Sequence, residues 1–180
     1  MNALTVEIHI EELASSEADE PGPPGTTISD RPHTQSPLSN QYFPCIPDCD
    51  SLKAWAALAY LNKEPAEVSL AIVTNSTIRE LNKQYRKKDK PTNVLSFPAD
   101  SSITPAPKLL GDVIFCPTVI EQEALAQHKW LLHHWAHMCV HGMLHLQGYD
   151  HEDEQAANEM EKLEIELLAK LEIPNPYLID

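Results

Sequence analysis

The chain has 180 residues, of which 42% are apolar, and its formal net charge is −14. This length and composition predict one globular domain with a hydrophobic core. No stretch approaches the roughly 20 consecutive apolar residues of a membrane span, and the N-terminus lacks the basic and apolar regions of a signal peptide. We therefore expect a cytoplasmic protein without a membrane partner, whose four cysteines are free thiols.

The negative charge is distributed unevenly along the chain. Residues 1–50 carry −8 and residues 117–180 carry −9, whereas residues 51–116 carry nine basic and six acidic groups, or +3. The densest basic cluster runs from Lys83 to Lys90. Because salt screens charges over roughly 8–10 Å, this cluster can attract a polyanion despite the overall repulsion.

In chain order, the first predicted element is a strand from Leu4 to Ile10, where apolar and polar residues alternate. Residues 13–47 follow, with seven of the fifteen prolines and many Ser, Thr and Asp. Such a composition cannot bury enough apolar surface to order itself. We interpret this stretch as a flexible insert within a single domain that spans residues 1–180.

Helical and strand patterns alternate in the rest of the chain. A helix is predicted from Asp50 to about Leu61, and Asn75 or Ser76 is expected to cap the next helix, which buries Tyr85 together with its apolar residues. The other predicted elements are the strands Val68 to Val73, Asn93 to Phe97 and Gly111 to Cys116, a helix that begins at Pro117, a helix from Trp130 to Gln147 that ends before Gly148, and an acidic helix with apolar positions from Ala156 to Leu171. About four strands and five helices predict an α+β domain with a small mixed sheet, whose strand order this reasoning leaves open.

Histidines are concentrated on the long predicted helix and in the turn after it. Four of them recur every four residues along one slowly drifting helix face: His133, His137, His141 and His145. Gly148 allows a sharp exit from the helix, and the turn QGYDH can return His151 to the same point as His141 and His145. Three protein ligands with an open fourth position are typical of a catalytic zinc. We therefore predict one Zn²⁺ per chain.

The other histidines of the helix are not predicted to bind the metal. A helix face can carry histidines without binding a metal, so His137 is expected to support or pack against the site, and His133 and His134 are expected to be partly exposed. In the zincin pattern HExxH, a Glu after the first His serves as general base, but Gly142 occupies that position here. Water activation would then depend on the ion alone, on Asp150 or on a group from elsewhere.

A basic segment from Asn82 to Pro98 reads NKQYRKKDKPTNVLSFP. Its cations could simply offset the dipole at a helix C-terminus, or they could hold phosphates beside the metal site. Arg86 is the leading candidate for phosphate binding, because a guanidinium holds phosphate oxygens in a bidentate fork.

The motifs HGMLHLQGYDH, LGDVIFC and YRKKDKPTNVLSFP together closely resemble the YbeY family of endoribonucleases over about residues 50–172. The resemblance implies a zinc site on His141, His145 and His151, which share the catalytic role with Arg86. It also implies a single-strand endoribonuclease that matures the 3′ end of small-subunit (16S) ribosomal RNA and acts in ribosome quality control. The implied partners are ribosomal RNA, the small ribosomal subunit and ribosome-assembly proteins. The insert at residues 13–47 departs from the family pattern but contains none of the motifs.

Two other classes of function stay open on the residues alone. A metalloprotease-like hydrolase would use the same metal, but Gly142 leaves it without its general base. A ribosome-assembly binding module would use the zinc to stabilise the fold and the basic segment to bind RNA. The open fourth ligand position argues against that second class.

Overall fold

The computed structural model describes residues 4–11, 45–100, 107–151 and 153–178. The elements in these ranges are β1 (Leu4–Ile10), α1 (Cys49–Ala59), β2 (Ala66–Ile72), α2 (Asn75–Arg86), β3 (Val94–Pro98), β4 (Lys108–Phe115), α3 (Pro117–Ala126), α4 (Leu131–Leu146) and α5 (Glu154–Ala169). This α+β architecture confirms the predicted fold class. Residues 13–44, most of the predicted insert, lie outside the described residues.

The four strands form one mixed sheet in the order β1-β2-β4-β3. Strands β1, β2 and β4 are parallel, and β3 pairs antiparallel with β4 at one edge. The β2–β4 register shifts after Glu67, and Val68 pairs with Gly111. Gly111 has φ +126°, and a Cβ there would lie 2.1 Å from the carbonyl oxygen of Phe97. Only glycine permits β3 to approach β4 so closely at this point.

Helices cover both faces of the sheet. Helix α4 contacts α1, α3, α5, β3 and β4, and eleven of its sixteen residues are buried. Its Trp135 is fully buried and packs against Phe115 of β4, with ring centroids 5.6 Å apart. Full burial of a large apolar side chain contributes roughly 1.5–3 kcal/mol. The packing of α4 therefore fixes the backbone that carries the histidines.

Helix α2 packs on the other face, in a smaller cluster that contains Ile78 and Leu95. Successive residues of a strand point to opposite faces, so Leu95 joins the α2 cluster while Val94 joins the α4 cluster. Edge strand β3 consequently separates α2 from α4. Arg86, the last residue of α2, therefore belongs to the helix on the face opposite α4.

The N-caps of α1 and α2 lie one or two residues before the predicted start of α1 and the predicted cap of α2. Asp48 caps α1, which is expected to begin at Asp50, and its side chain accepts a hydrogen bond from the amide three residues later at 2.8 Å. Thr74, rather than Asn75 or Ser76, caps α2 in the same way. Each capping residue has extended backbone angles, which a cap requires. Neighbouring polar residues of equal capping tendency hide that difference in the sequence.

The boundaries of three strands also differ from the prediction because pairing, rather than local hydropathy, determines them. Strand β2 begins at Ala66 and ends before Val73, and Ala66 pairs with partners on both sides. Strand β4 begins at Lys108 rather than Gly111. Strand β3 extends through Pro98, which pairs with Gly111, since an edge strand tolerates a residue without an N–H.

The prediction that Tyr85 is buried is wrong. Its side chain is 58% exposed and packs edge-on against Phe97, with ring centroids 4.9 Å apart. Helix α2 ends over edge strand β3, where no further strand of the described sheet can cover the ring. The helical spacing that indicates burial for Ile78 therefore fails for Tyr85, in the last turn of the helix.

The cysteines and the hydropathy of the helices were also subjects of prediction. Cys45 and Cys49 are exposed, Cys116 and Cys139 are buried, and all four are free thiols, as expected. No helix in the described ranges is long and apolar enough to cross a membrane.

Candidate metal centre

His141 and His145 of α4 meet His151 of the following turn. One nitrogen of each ring lies within 4.8 Å of the corresponding nitrogens of the other two. The Nε2 atoms of His141 and His145 are 3.1 Å apart, and the ring of His151 stacks on that of His141 with centroids 5.7 Å apart. The structure thus brings together the three histidines that the sequence predicts to converge.

The turn that returns His151 is a Schellman C-cap. The amide of Gly148 donates to the carbonyl of His145 at 3.1 Å, and the amide of Tyr149 donates to that of Leu144 at 3.2 Å. Gly148 has φ +91°, a value that side-chain-bearing residues rarely adopt. The predicted role of Gly148 as the residue just past the helix end is confirmed.

Gln147 anchors the same turn to α1, a role that sequence reasoning missed. Its Nε2 donates to the carbonyl of Ala59 at 2.8 Å, and its Oε1 accepts from the amide of Leu61 at 2.9 Å. These partners are 88 and 86 residues away in sequence. A polar residue at a helix end gives no local signal of so distant a contact.

Glu164 of α5 lies directly behind the cluster, and it too was missed. The residue is fully buried. Its Oε1 accepts from Nδ1 of His141 at 2.7 Å, its Oε2 accepts from Nε2 of His137 at 2.9 Å, and the hydroxyl of Tyr177 donates to Oε2 as well. One signal was available: Glu164 interrupts the apolar stripe of α5 between Met160 and Leu167.

The protonation states suit metal binding at neutral pH. Burial alone would raise the pKa of Glu164, but the hydrogen bonds and charges of His137 and His141 lower that pKa to about 2. Burial, with the neighbouring rings of His141 and His151, lowers the pKa of His145 to about 4. A metal binds the neutral imidazole, so His145 offers its lone pair without first releasing a proton.

The residues present fit a single divalent transition metal. Zinc binds imidazole nitrogens at about 2.0–2.1 Å in a tetrahedral arrangement, which places neighbouring ligand nitrogens about 3.3 Å apart. The 3.1 Å between the Nε2 atoms of His141 and His145 is close to that separation. A carboxylate on the far nitrogen of a histidine ligand is also common at such sites, and Glu164 occupies that position for His141.

Gly142 explains why no zincin-type base follows His141. A Cβ at this position would lie 2.5 Å from Cγ1 of Val113 and 3.3 Å from Oγ of Ser96. The position therefore faces the sheet and has no space for a glutamate side chain. The metalloprotease alternative thus lacks its base for a steric reason as well as a sequence reason.

The expectation that His134 is partly exposed is wrong, because a carboxylate pairs with the ring in the interior. His134 is 3% exposed, and its Nε2 lies 2.9 Å from Oε2 of Glu123. Asn93 donates to the same carboxylate at 2.9 Å. His137 is also buried and bonded to Glu164, which agrees with a supporting role.

Arg86 is the last residue of α2 and is exposed. Its neighbour Tyr85 packs on Phe97 of β3, whereas Ser96, the residue before Phe97, donates to the carbonyl of Gly142 in α4 at 3.1 Å. Helix α2, which ends at Arg86, and helix α4, which carries His141 and His145, thus pack on opposite faces of one edge strand. Within the described ranges, the Arg86 side chain has no hydrogen bond or ion pair, so its guanidinium is available to a ligand.

The basic segment is partly neutralised within the protein. Asp89 accepts from Arg79 at 2.7 Å and from Lys83 at 2.8 Å, and the hydrogen bonds from Lys83 and Arg79 lower the pKa of its carboxyl. Lys87 donates to a backbone carbonyl. Lys88, like Arg86, has no side-chain partner among the described residues, so fewer cations are free than the sequence count suggests.

Together, the fold and the cluster define a class: an α+β protein with a three-histidine candidate metal centre at the end of a buried helix. A family model described as Endoribonuclease YbeY matches residues 50–172, which include all three histidines and Arg86. The chain belongs to this family, as its motifs indicate.

Two relatives from Francisella tularensis support this assignment. The chain is 52% identical over 117 residues to "Endoribonuclease YbeY" of Francisella tularensis subsp. novicida, which covers 63% of this chain and 72% of the relative. The protein of the same name from Francisella tularensis subsp. tularensis is also 52% identical, with 63% and 70% covered. A solution structure from Thermotoga maritima shares 26% identity over 68% of this chain and 80% of that chain, with a TM-score of 0.44.

Proposed function

We propose that this protein is a zinc-dependent endoribonuclease that cleaves single-stranded RNA, matures the 3′ end of small-subunit (16S) ribosomal RNA and acts in ribosome quality control in the cytoplasm. The coarser reading, an RNA-cleaving hydrolase, rests on membership of the YbeY family. The observation that carries the finer proposal is the convergence of His141, His145 and His151 within the matched region.

The proposed cofactor is one zinc ion per chain, held by the three imidazoles. A zinc ion there would supply Lewis-acid chemistry, in which it polarises a phosphoryl oxygen and acidifies water. Three neutral ligands would leave the full +2 charge on the ion. The histidine cluster is the one group of this kind among the described residues, which supports a stoichiometry of one.

Arg86 is proposed to hold a non-bridging oxygen of the scissile phosphate. Negative charge that develops on this group in the transition state would be stabilised by a fixed guanidinium. Because α2, which ends at Arg86, and α4, which carries His141 and His145, pack on opposite faces of edge strand β3, we infer that the RNA backbone passes across that edge. Lys88 would steer the RNA through its charge.

The metalloprotease alternative gains no support, because Gly142 faces Val113 and leaves no space for a base. Asp150 is an exposed carboxylate beside His151 and stays a candidate for water activation.

If the protein were instead a binding module with a structural zinc, it would bind RNA stably without cleaving it. Turnover therefore separates that module from the proposed enzyme.

The decisive experiment incubates metal-loaded protein with single-stranded RNA and with the matched duplex. We expect cleavage of the single strand, loss of cleavage on chelation, and restoration by added zinc. His145→Ala should lose both zinc and activity, measured by elemental analysis and gel assay. His133→Ala, on the same helix, is the matched control and should keep both. A His133→Ala protein that loses zinc, or a His151→Ala protein that keeps it, would refute the ligand assignment.

A further inference from the structure

A buried hydrogen-bond network joins the candidate metal centre to the C-terminal segment. Glu164 is fully buried, and its two carboxylate oxygens contact His141, His137 and Tyr177. Tyr177 follows α5, and its ring packs edge-on against that of His137 with centroids 5.5 Å apart. The network thus connects α4, α5 and the segment after α5.

The network determines which nitrogen of each ring carries a proton. An ionised carboxylate only accepts hydrogen bonds, so His141 must donate through Nδ1–H. Its Nε2 then bears the lone pair, and this atom is the one that lies 3.1 Å from Nε2 of His145.

His137 supports the same assignment. It donates through Nε2–H, which leaves its buried Nδ1 without a partner among the described residues. An orphaned acceptor is more easily tolerated in the interior than an orphaned N–H.

From these contacts we propose that Glu164 is a positioning residue, oriented by Tyr177, that holds His141 in the tautomer and ring orientation needed to bind the metal. The proposal rests on the proposed function only in taking His141 as a ligand. Outer carboxylates of this kind orient ligand rings and raise their basicity.

A merely structural role explains the site poorly. Glu164 projects from α5 beside the buried Leu167 and Leu168, where an apolar side chain would avoid the cost of desolvating a carboxylate. Both oxygens are used, and they bond to the proposed ligand His141, to the neighbouring His137 and to Tyr177, which packs on His137. The arrangement favours control of the ligand over stabilisation of the helix.

The test compares Glu164→Gln with Glu166→Gln, an exposed position on the same helix. Gln is nearly isosteric, but its amide nitrogen is a donor that faces other donors, so it cannot satisfy His141, His137 and Tyr177 together. We expect zinc affinity, measured by competition with a chelator, to fall roughly 10–100-fold in Glu164→Gln. Glu166→Gln should bind as the wild type does, and Tyr177→Phe should show a smaller loss than Glu164→Gln. Denaturation of the metal-free proteins reports stability separately.

A spectroscopic measurement keeps the proposal testable if Glu164→Gln does not fold. In metal-free wild-type protein, nitrogen NMR of the imidazoles should show His141 protonated on Nδ1 and unprotonated on Nε2. The opposite tautomer, or a folded Glu164→Gln protein with wild-type zinc affinity, would overturn the proposal. A wild-type protein that binds no zinc would refute the proposed function instead, and the NMR spectrum would still decide the tautomer.

Discussion

Arg86 is the single residue on which the proposed transition-state stabilisation depends most. Arg86→Ala should lower single-turnover cleavage at saturating protein by about 10²–10³-fold, the usual loss for one such donor. Arg86→Lys should recover little, because an ammonium lacks the bidentate fork. Zinc content and fold should stay unchanged, since Arg86 is exposed and has no partner among the described residues.

Lys88 is the matched control for Arg86, because it is also exposed and without a side-chain partner in the described ranges. Lys88→Ala should mainly weaken RNA binding and reduce the salt dependence by about one unit of slope. Its cleavage rate at saturating protein should match the wild type. Normal single-turnover cleavage by Arg86→Ala would show that the basic segment only docks RNA.

Gly142 gives a prediction about stability. In Gly142→Ala the new methyl group would meet Cγ1 of Val113, a fully buried residue of β4, at 2.5 Å. Overpacking of this kind costs about 1–3 kcal/mol, which should outweigh the gain in helix propensity of up to about 1 kcal/mol. We expect a lower free energy of unfolding in denaturant for the metal-free protein.

A double-mutant cycle identifies the cause of that loss. Val113→Ala removes the methyl group that Gly142→Ala would contact, so the double variant should be more stable than the sum of the single changes predicts. Strict additivity of the two free-energy changes would show that Val113 is not the obstacle.

At the scale of elements, Glu123 joins α3 to α4 and to the start of β3. Its carboxylate accepts hydrogen bonds from His134 of α4 and from Asn93 just before β3. Burial alone would raise the pKa of Glu123, but these hydrogen bonds lower it overall. A lowered pKa in the folded state contributes stability above the unfolded value, and this contribution is lost as the pH falls through the folded pKa.

Glu123→Gln should therefore reduce the free energy of unfolding by about 1–3 kcal/mol at pH 7. The difference from wild type should shrink below about pH 4.3, the unperturbed value for Glu. Denaturant unfolding between pH 7 and pH 3 measures this, with Glu121→Gln on the same helix as control. A difference that stays constant over this range would contradict a role for the ionised carboxylate.

At the scale of the whole molecule, the prediction concerns the insert at residues 13–47. Its last three residues are described and contact the domain. The carbonyl of Cys45 accepts from Nε1 of Trp135 at 3.2 Å, and Ile46 packs against the main core. A Gly/Ser linker in place of residues 13–44 should leave zinc content and stability unchanged. Replacement of residues 13–47 should lower the free energy of unfolding by about 1–3 kcal/mol. A folded variant of the shorter replacement that binds no zinc would place part of the insert in the site.

The sequence by itself determined the fold class and the convergence of three histidines, because both depend on local rules. Four-residue spacing places His141 and His145 on one helix face, and Gly148 permits the turn that returns His151. Hydropathy patterns likewise located every element to within a few residues. The physical reason is that periodicity, capping and turn chemistry act between near neighbours.

Only the tertiary structure decided what surrounds those histidines. Glu164 lies 23 residues from His141, and Gln147 lies 88 residues from its partner in α1. Helix packing placed α2 and α4 on opposite faces of β3, left Tyr85 exposed and buried His134 beside Glu123. Such contacts form because buried polar groups from distant segments must hydrogen-bond to one another. The local sequence pattern around each residue does not identify its partner.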